Sequence, residues 1–410
     1  VGPLCGFSIA FAETEWNTNL QAQLFQYASE PAPTLYLNSK MLWMNDSFVA
    51  KLEGYFESGS QGAWSLDPDP VRYQWSLNPQ GTNLIWFGRE QPLNLVRNTP
   101  VENTSALGAV WTQNKLEALN PRVSGWIGAG MVHELGKNWR FLLSYSPVFI
   151  PTFGPSLGFT ERGEINPARF ARLPPTSAQI GDVLTPIRYR IEIGQLSDLL
   201  LRHQAMLGIA HQDEGLSMDA YFYTAPNPDP IPTNDASLAV SANEVNARVQ
   251  VNVQFPREHW GGMRTQFKKL PFEPAVEFVQ KLNDLNERYL SLTGYFSTPQ
   301  NDIPSIYQPR ASFGLLTHFG KTFESPEFHD LMLFVRLPVR LRDDLEWRTL
   351  VQSTWLELRQ SFFWLNELEW SLQKSLSLLG AIRLLAGKDN SYFGDWRNQD
   401  SYSAGIRWVW

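Results

Sequence analysis

Cysteine is nearly absent from this chain: Cys5 is the only one among 410 residues. A single thiol forms no internal disulfide, so a disulfide scaffold and a thiolate-held zinc site are both excluded. Charge is scarce as well. Asp, Glu, Lys and Arg make up 18% of the residues, against roughly 25% in an ordinary soluble domain. The formal net charge is -7, and no basic run offsets it, which argues against nucleic acid as a partner. No stretch of about 18 apolar residues occurs, so no transmembrane helix is expected. The richest candidate, 376–386, is short and interrupted by Arg383. That absence leaves open a membrane crossing by strands, each needing only about 9–11 residues.

Catalytic signatures are missing too. His133, His203, His211, His259, His318 and His329 include no pair spaced as in a helical zinc motif, and there is no G-x-S-x-G elbow or phosphate-cradling glycine loop. His211-Gln212-Asp213 reads as a polar turn. We therefore expect no enzyme, no cofactor and no metal ligand. No motif recurs with a period of 20–50 residues, which speaks against a propeller.

What the chain has is aromatic mass and alternation. Aromatics are 13% of residues, including 16 Trp and 25 Phe, yet mean hydropathy is -0.28. Apolar and polar residues must alternate for both to hold. Val245, Ala247, Val249, Val251, Val253 and Phe255 interleave with Asn246, Arg248, Gln250, Asn252 and Gln254. Ile187, Tyr189, Ile191 and Ile193 do so with Arg188, Arg190 and Glu192. Similar runs occupy 48–57, 71–77 and 345–352. This period of two predicts half-buried strands, many of a length that spans a bilayer. Further strands are expected at 18–27, 82–90, 105–116, 123–135, 138–146, 203–211, 216–224, 274–282, 287–296, 310–319, 329–337, 354–370 and 375–386. In 354–370, Trp355, Leu358, Phe362 and Leu365 would also line a helix; its aromatic content favours a strand.

Short polar turns such as Gly136-Lys137-Asn138 suit hairpins. Three connections are long and Pro-rich, at about 147–185, 225–240 and 297–309; such loops are usually exposed and functional. Trp75, Trp86, Trp111, Trp126, Trp139, Trp408 and Trp410 lie near strand ends, as in the aromatic girdles of a membrane barrel or as core aromatics of a sandwich. On the polar sides of the strands fall Arg72, Arg140, Arg188, Arg190, Arg248, Arg336, Arg348 and Arg407, with Glu53, Glu192 and Glu346. They either set selectivity along a pore or hydrate a wall.

The two ends of the sequence add a resemblance. Residues 1–12, VGPLCGFSIAFA, read as the rear of a secretory signal peptide ending in an A-x-A-like site, leaving 13–410 as one domain. The last strand, Tyr402 to Trp410, alternates Tyr402, Ala404, Ile406, Trp408 and Trp410 against Ser403, Gly405 and Arg407. This ending resembles the closing strand of bacterial outer-membrane β-barrels, in which the terminal aromatics serve as an assembly signal. The resemblance implies an all-β, antiparallel, up-and-down transmembrane barrel of about 16 strands (range about 14–18). It implies a bacterial outer-membrane location in a Gram-negative cell. The implied partners are membrane lipid, lipopolysaccharide, the barrel assembly machinery and, by analogy, further copies of the chain. The implied function is porin-like passive diffusion of small hydrophilic solutes, with Arg72, Arg140, Arg188, Arg190, Glu192, Arg248, Arg336, Arg348 and Arg407 lining the pore and Tyr402, Trp408 and Trp410 acting in assembly. Two other readings stand beside it: a plugged barrel whose loops serve as scaffold, adhesin or partner-binding platform, and a secreted soluble all-β glycan binder.

Overall fold

The computed structural model describes residues 15–28, 32–45, 47–58, 63–77, 83–90, 110–112, 115–117, 126–149, 157–159, 165–167, 177–180, 183–192, 200–227, 231–241, 244–270, 272–297, 312–321, 328–356, 359–388, 391, 393–394 and 399–410. Eighteen strands form one sheet. In chain order they are β1 Glu15–Tyr27, β2 Thr34–Met44, β3 Phe48–Glu57, β4 Ala63–Ser76, β5 Leu84–Glu90, β6 Trp126–Leu135, β7 Trp139–Val148, β8 Gln204–Gln212 and β9 Leu216–Pro226. The series continues with β10 Arg257–Phe267, β11 Glu273–Asn283, β12 Arg288–Ser297, β13 Ser312–Lys321, β14 Phe328–Arg342, β15 Leu345–Leu356, β16 Arg359–Gln373, β17 Leu376–Gly387 and β18 Ser401–Val409.

Each strand pairs antiparallel with its neighbour in this order, and the ring closes through β1 and β18, from Asn19 opposite Val409 to Tyr27 opposite Ser401. Trp410 extends the seam: its amide donates to the Thr18 carbonyl (3.0 Å) and its carbonyl accepts from the Thr18 amide (2.9 Å). The fold is thus the all-β antiparallel closed barrel the alternation predicts, at the upper end of the expected strand range. Closure satisfies every edge, the condition for backbone to sit in hydrocarbon.

Side chains divide by parity. On β18, Tyr402, Ile406 and Trp408 are 64%, 49% and 53% exposed, while Ser401 and Ser403 are buried. On β14, Leu333, Val335 and Leu337 are exposed, whereas Met332 and Phe334 are buried. The exposed set is therefore the apolar one. A secreted soluble protein would bury it, so the glycan-binder reading is overturned: the exterior is a lipid-facing belt.

One rim of that belt is aromatic. Trp43, Tyr73, Trp75, Trp139, Phe267, Phe296, Phe313, Trp370 and Trp408 are exposed at the strand ends nearest the chain termini. Neighbours touch there, with Trp43 and Phe48 rings 5.0 Å apart and Phe296 and Phe313 also 5.0 Å apart. Two tryptophans expected in such a girdle are not in it. Trp86 and Trp126 point inward and are buried. For Trp86 the facing residue is a glycine: it lies across Gly130, where a Cβ would come within 2.6 Å of its indole Nε1. Tyr221 covers Gly262 on the neighbouring β10 in the same way. Trp111 lies off the wall, in a small hairpin of 110–112 with 115–117.

The two ends of the barrel differ. At the end carrying the termini, most connections are tight. Asn45 Oδ1 accepts from the Ser47 and Phe48 amides between β2 and β3. Asp213 Oδ1 accepts from the Gly215 and Leu216 amides between β8 and β9. Gly136 adopts φ 74° between β6 and β7, where an L side chain would be strained. The opposite end bears the connections 91–125, 149–203 and 227–256. Of the three Pro-rich connections, 147–185 and 225–240 thus lie at this end and include short strands at 157–159, 165–167 and 177–180 and part of 231–241. Most of 297–309 falls outside the described residues, between β12 and β13 at the tight-turn end. The segment 1–12 is likewise outside them.

The cleanest alternations in the sequence are not in the wall. Val183–Glu192 and Glu244–Gln254 pair parallel with each other, and together with 177–180 and 231–241 they make a separate four-stranded sheet. Strict alternation marks a half-buried strand in any sheet and does not single out this one. Conversely, β2 and β10 were not expected. In β10, His259, Gly261 and Thr265 break the outward apolar row, and in β2 Ser39 does.

Candidate functional site

The inward parity of the wall carries the charge, largely matched strand by strand. On β3, Glu53 is buried and meets Lys40 Nζ of β2 at 3.2 Å, Lys51 Nζ at 3.9 Å and Asn38 Nδ2 at 3.3 Å. On β4, Arg72 pairs with Glu90 of β5, and its Nε donates to Gln74 Oε1 at 3.1 Å. Between β6 and β7, Glu134 and Arg140 approach to 3.5 Å. Across β9 and β10, Arg264 Nε donates to Asp219 Oδ2 at 2.8 Å with both side chains almost fully buried. On β10 and β11, Glu258 pairs with Lys281 and accepts from Trp260 Nε1 at 2.8 Å, and Lys281 lies 5.2 Å from the Trp260 ring centroid. On β15, β16 and β18, Arg348 reaches Glu346 (2.8 Å) and Glu369 (3.1 Å), and Arg407 also pairs with Glu369.

Such pairing follows from geometry. Inward residues directly opposite on adjacent strands are close enough for long side chains to meet. Asp219 stands across from Arg264, Lys40 from Glu53 and Glu134 from Arg140. A guanidinium or carboxylate taken from water is costly unless it is paired and hydrogen-bonded, and for Lys40, Glu53, Glu134, Arg140, Asp219 and Arg264 the wall supplies a partner on the adjacent strand.

Of the residues singled out from the sequence, Arg72, Arg140, Arg336, Arg348 and Arg407 lie on inward positions of β4, β7, β14, β15 and β18. Arg188, Arg190, Glu192 and Arg248 do not belong to the wall. They sit on the separate sheet, where Arg188 is in register with Arg248, and their side chains fall outside the described residues. Tyr402, Trp408 and Trp410 face outward. The sequence reading missed Lys40, Asp219, Glu258, Arg264, Lys281 and Glu369. Half of these lie on β2 and β10, the strands it did not recognise.

At the tight-turn end, a cavity of about 460 Å³ is bordered by Glu134, Arg140, Gln212, Asp219 and Arg264. Its rim includes the Asp213 turn, outside the membrane-spanning strands. The Gly215 amide, then the Leu216 amide and the His211 ring, hold the Asp213 carboxyl below its ordinary value. His211 Nε2 is 3.2 Å from Asp213 Oδ2, and the ring packs on Trp139 at 4.6 Å. This is a fastened turn.

No family model matches the chain, and no curated protein matches it. Solved structures resemble it along nearly all of its length. The OccK2 (OpdF) structure of Pseudomonas aeruginosa aligns with a TM-score of 0.49 at 7% identity, covering 97% of each chain. OmpF of Salmonella typhi, solved with daunomycin, gives 0.42 at 8% identity over 97% of this chain and 98% of its own. OmpT of Vibrio cholerae, in its trimer form, gives 0.41 at 8% identity over 97% and 99%. The closed antiparallel ring, with lipid-facing apolar side chains and charge-paired inner wall, is by its own geometry a transmembrane β-barrel of the outer-membrane type.

Proposed function

We propose that the chain is an outer-membrane channel through which small hydrophilic solutes diffuse passively. The observation that carries this reading is the inward charge. A closed wall whose inner positions hold paired Lys, Arg, Asp and Glu suits a wet lumen, because water meets the polar valences that the pairs leave over. Arg72, Arg140, Arg336, Arg348 and Arg407 are its lining candidates, and Arg72, Arg140, Arg348 and Arg407 each pair with a carboxylate of the wall. The tight-turn end faces the periplasm and the long connections face outward, the usual polarity of such barrels. The channel has no energy coupling and performs no chemistry. Lipopolysaccharide at the outer rim, the assembly machinery and a homo-oligomer belong to this reading.

Detergent-refolded protein added to a planar bilayer in KCl is expected to give stepwise conductance. Protein that inserts and stays silent overturns the channel reading. A second reading, a partner-binding platform, is favoured by the four-stranded sheet that the two long connections build. On that reading, silent insertion is the expected result.

A further inference from the structure

The lipid-facing row of β10 is not apolar where it nears the long-connection end. Arg257, His259, Gly261 and Met263 share this row. The alternate positions face the lumen, where Glu258 is buried and pairs with Lys281 beside the Trp260 ring. Met263, by contrast, is 51% exposed. The adjoining strands keep to the rule. Leu143, Leu207 and Phe222 stand in register with Gly261 and are exposed. Leu282, across from His259, is exposed too. The break in β10 is therefore local, and it puts cationic and hydrogen-bonding side chains on the hydrocarbon side of the wall. A cation there is costly unless it reaches water or an anion.

Arg257 is held in place. Its Nη1 donates to the His203 carbonyl at 3.0 Å and to Thr224 Oγ1 at 3.3 Å, so the guanidinium reaches across β9 toward the start of β8. Its Nε and Nη2 donors are left over, and among the described residues no carboxylate pairs with it. Beside it, the Tyr145 hydroxyl bonds His203 Nδ1, and the two rings stack with centroids 5.7 Å apart. That bond leaves His203 Nε2 free of protein partners among the described residues. Beneath the cluster, on the hydrocarbon side, lies open space: a Cβ on Gly261 would meet nothing within 4 Å. Between Phe222 and Gln280, the cross-strand neighbours of Gly261, the wall therefore has a notch.

We propose that Arg257 and His203, with the notch at Gly261, bind one lipopolysaccharide molecule of the outer leaflet. The unspent guanidinium N–H groups and His203 Nε2 hold a phosphate of its lipid A headgroup, the multi-donor recognition that arginine gives to phosphate. An acyl chain lies in the notch between Phe222 and Gln280. Charge decides the class of partner: an uncompensated cation above a slot in an apolar belt matches an anionic headgroup on a hydrocarbon body. Position decides the leaflet, because the site lies at the long-connection end. The inference rests on the outer-membrane orientation given above, and binding at this site does not require conduction.

Native mass spectrometry of the detergent-folded barrel, titrated with bisphosphorylated lipid A, is expected to show one lipid retained after the others are shed. Lipid A stripped of both phosphates is expected to be lost with the rest. Arg257→Gln is expected to weaken lipid A binding roughly tenfold, the scale of lost charge-assisted hydrogen bonds, while Arg257→Lys keeps part of it. Should Arg257→Gln fail to fold, Gly261→Leu fills the notch with Arg257 in place and must also weaken binding. Retention unchanged in either folded variant overturns the proposal. So does equal retention of the dephosphorylated lipid, or phosphatidylglycerol bound as tightly as lipid A. In a planar bilayer both variants are expected to conduct as the parent does. A silent barrel that binds lipid A through Arg257 sinks the channel reading and keeps the lipid site. A conducting barrel with no Arg257-dependent binding does the reverse.

Discussion

At the scale of single residues, the wall is governed by what stands directly opposite. Asp219 and Arg264 show this most sharply, because both side chains are almost wholly out of solvent. Replacing Asp219 with Ala leaves Arg264 buried with its main counter-charge gone. The expected loss is about 3–5 kcal/mol, the range for breaking one side of a buried pair, read as a lower urea midpoint of the detergent-folded barrel. Replacing both by apolar residues of similar volume is expected to recover much of it. These pairs were only half legible in the sequence. Arg72 and Arg140 announced themselves as charges on alternating strands, yet their partners Glu90 and Glu134 did not. Pairing depends on register, and a strand carries no mark of the register of its neighbour.

At the scale of elements, alternation proved a good witness to strands and a poor one to their assignment. β17 and β18 fall where period two put them, and their lipid-facing residues are the apolar ones. The strands 183–192 and 244–254 alternate just as well and belong elsewhere. β10 alternates badly and is wall: His259 and Gly261 interrupt its outward row, and on its inward row Gly262 lies under Tyr221 of the adjacent strand, a need invisible within one strand. The segment 354–370 resolved as the end of β15 and most of β16, so a neighbouring pair had been read as one. The seam tests the element-level account. Deleting Trp410 removes its two backbone hydrogen bonds to Thr18 and an indole 61% exposed in the aromatic rim. Slower or incomplete insertion into liposomes is expected, with conductance per inserted molecule unchanged. Insertion at the parent rate would show that the terminal residue is dispensable to the seam.

At the scale of the whole molecule, the ring makes stability collective. Each strand has two hydrogen-bonded neighbours, so no strand can leave without opening two ladders at once. Unboiled protein in dodecyl sulfate is therefore expected to migrate as a compact species and to shift on boiling; identical mobility before and after heating would contradict the closed ring. Fold class was plain from the chain as a whole, through long alternating runs, scarce charge and abundant aromatics. The number of strands was not, since each strand of such a barrel carries a weak signal and merges easily with the next.

The seam also sets an order in time. β1 is made first and β18 last, yet they must end side by side. Holding such distant segments together is thermodynamically mild, since each doubling of a loop adds only about 0.6 kcal/mol. Kinetically it is a wait. Until β18 arrives, β1 presents a row of unpaired amides and carbonyls flanked by Leu20 and Leu24, the template on which a foreign strand could dock. Pairing with the nine-residue β18 retires that exposed template, and the ring stays open to foreign strands until it forms.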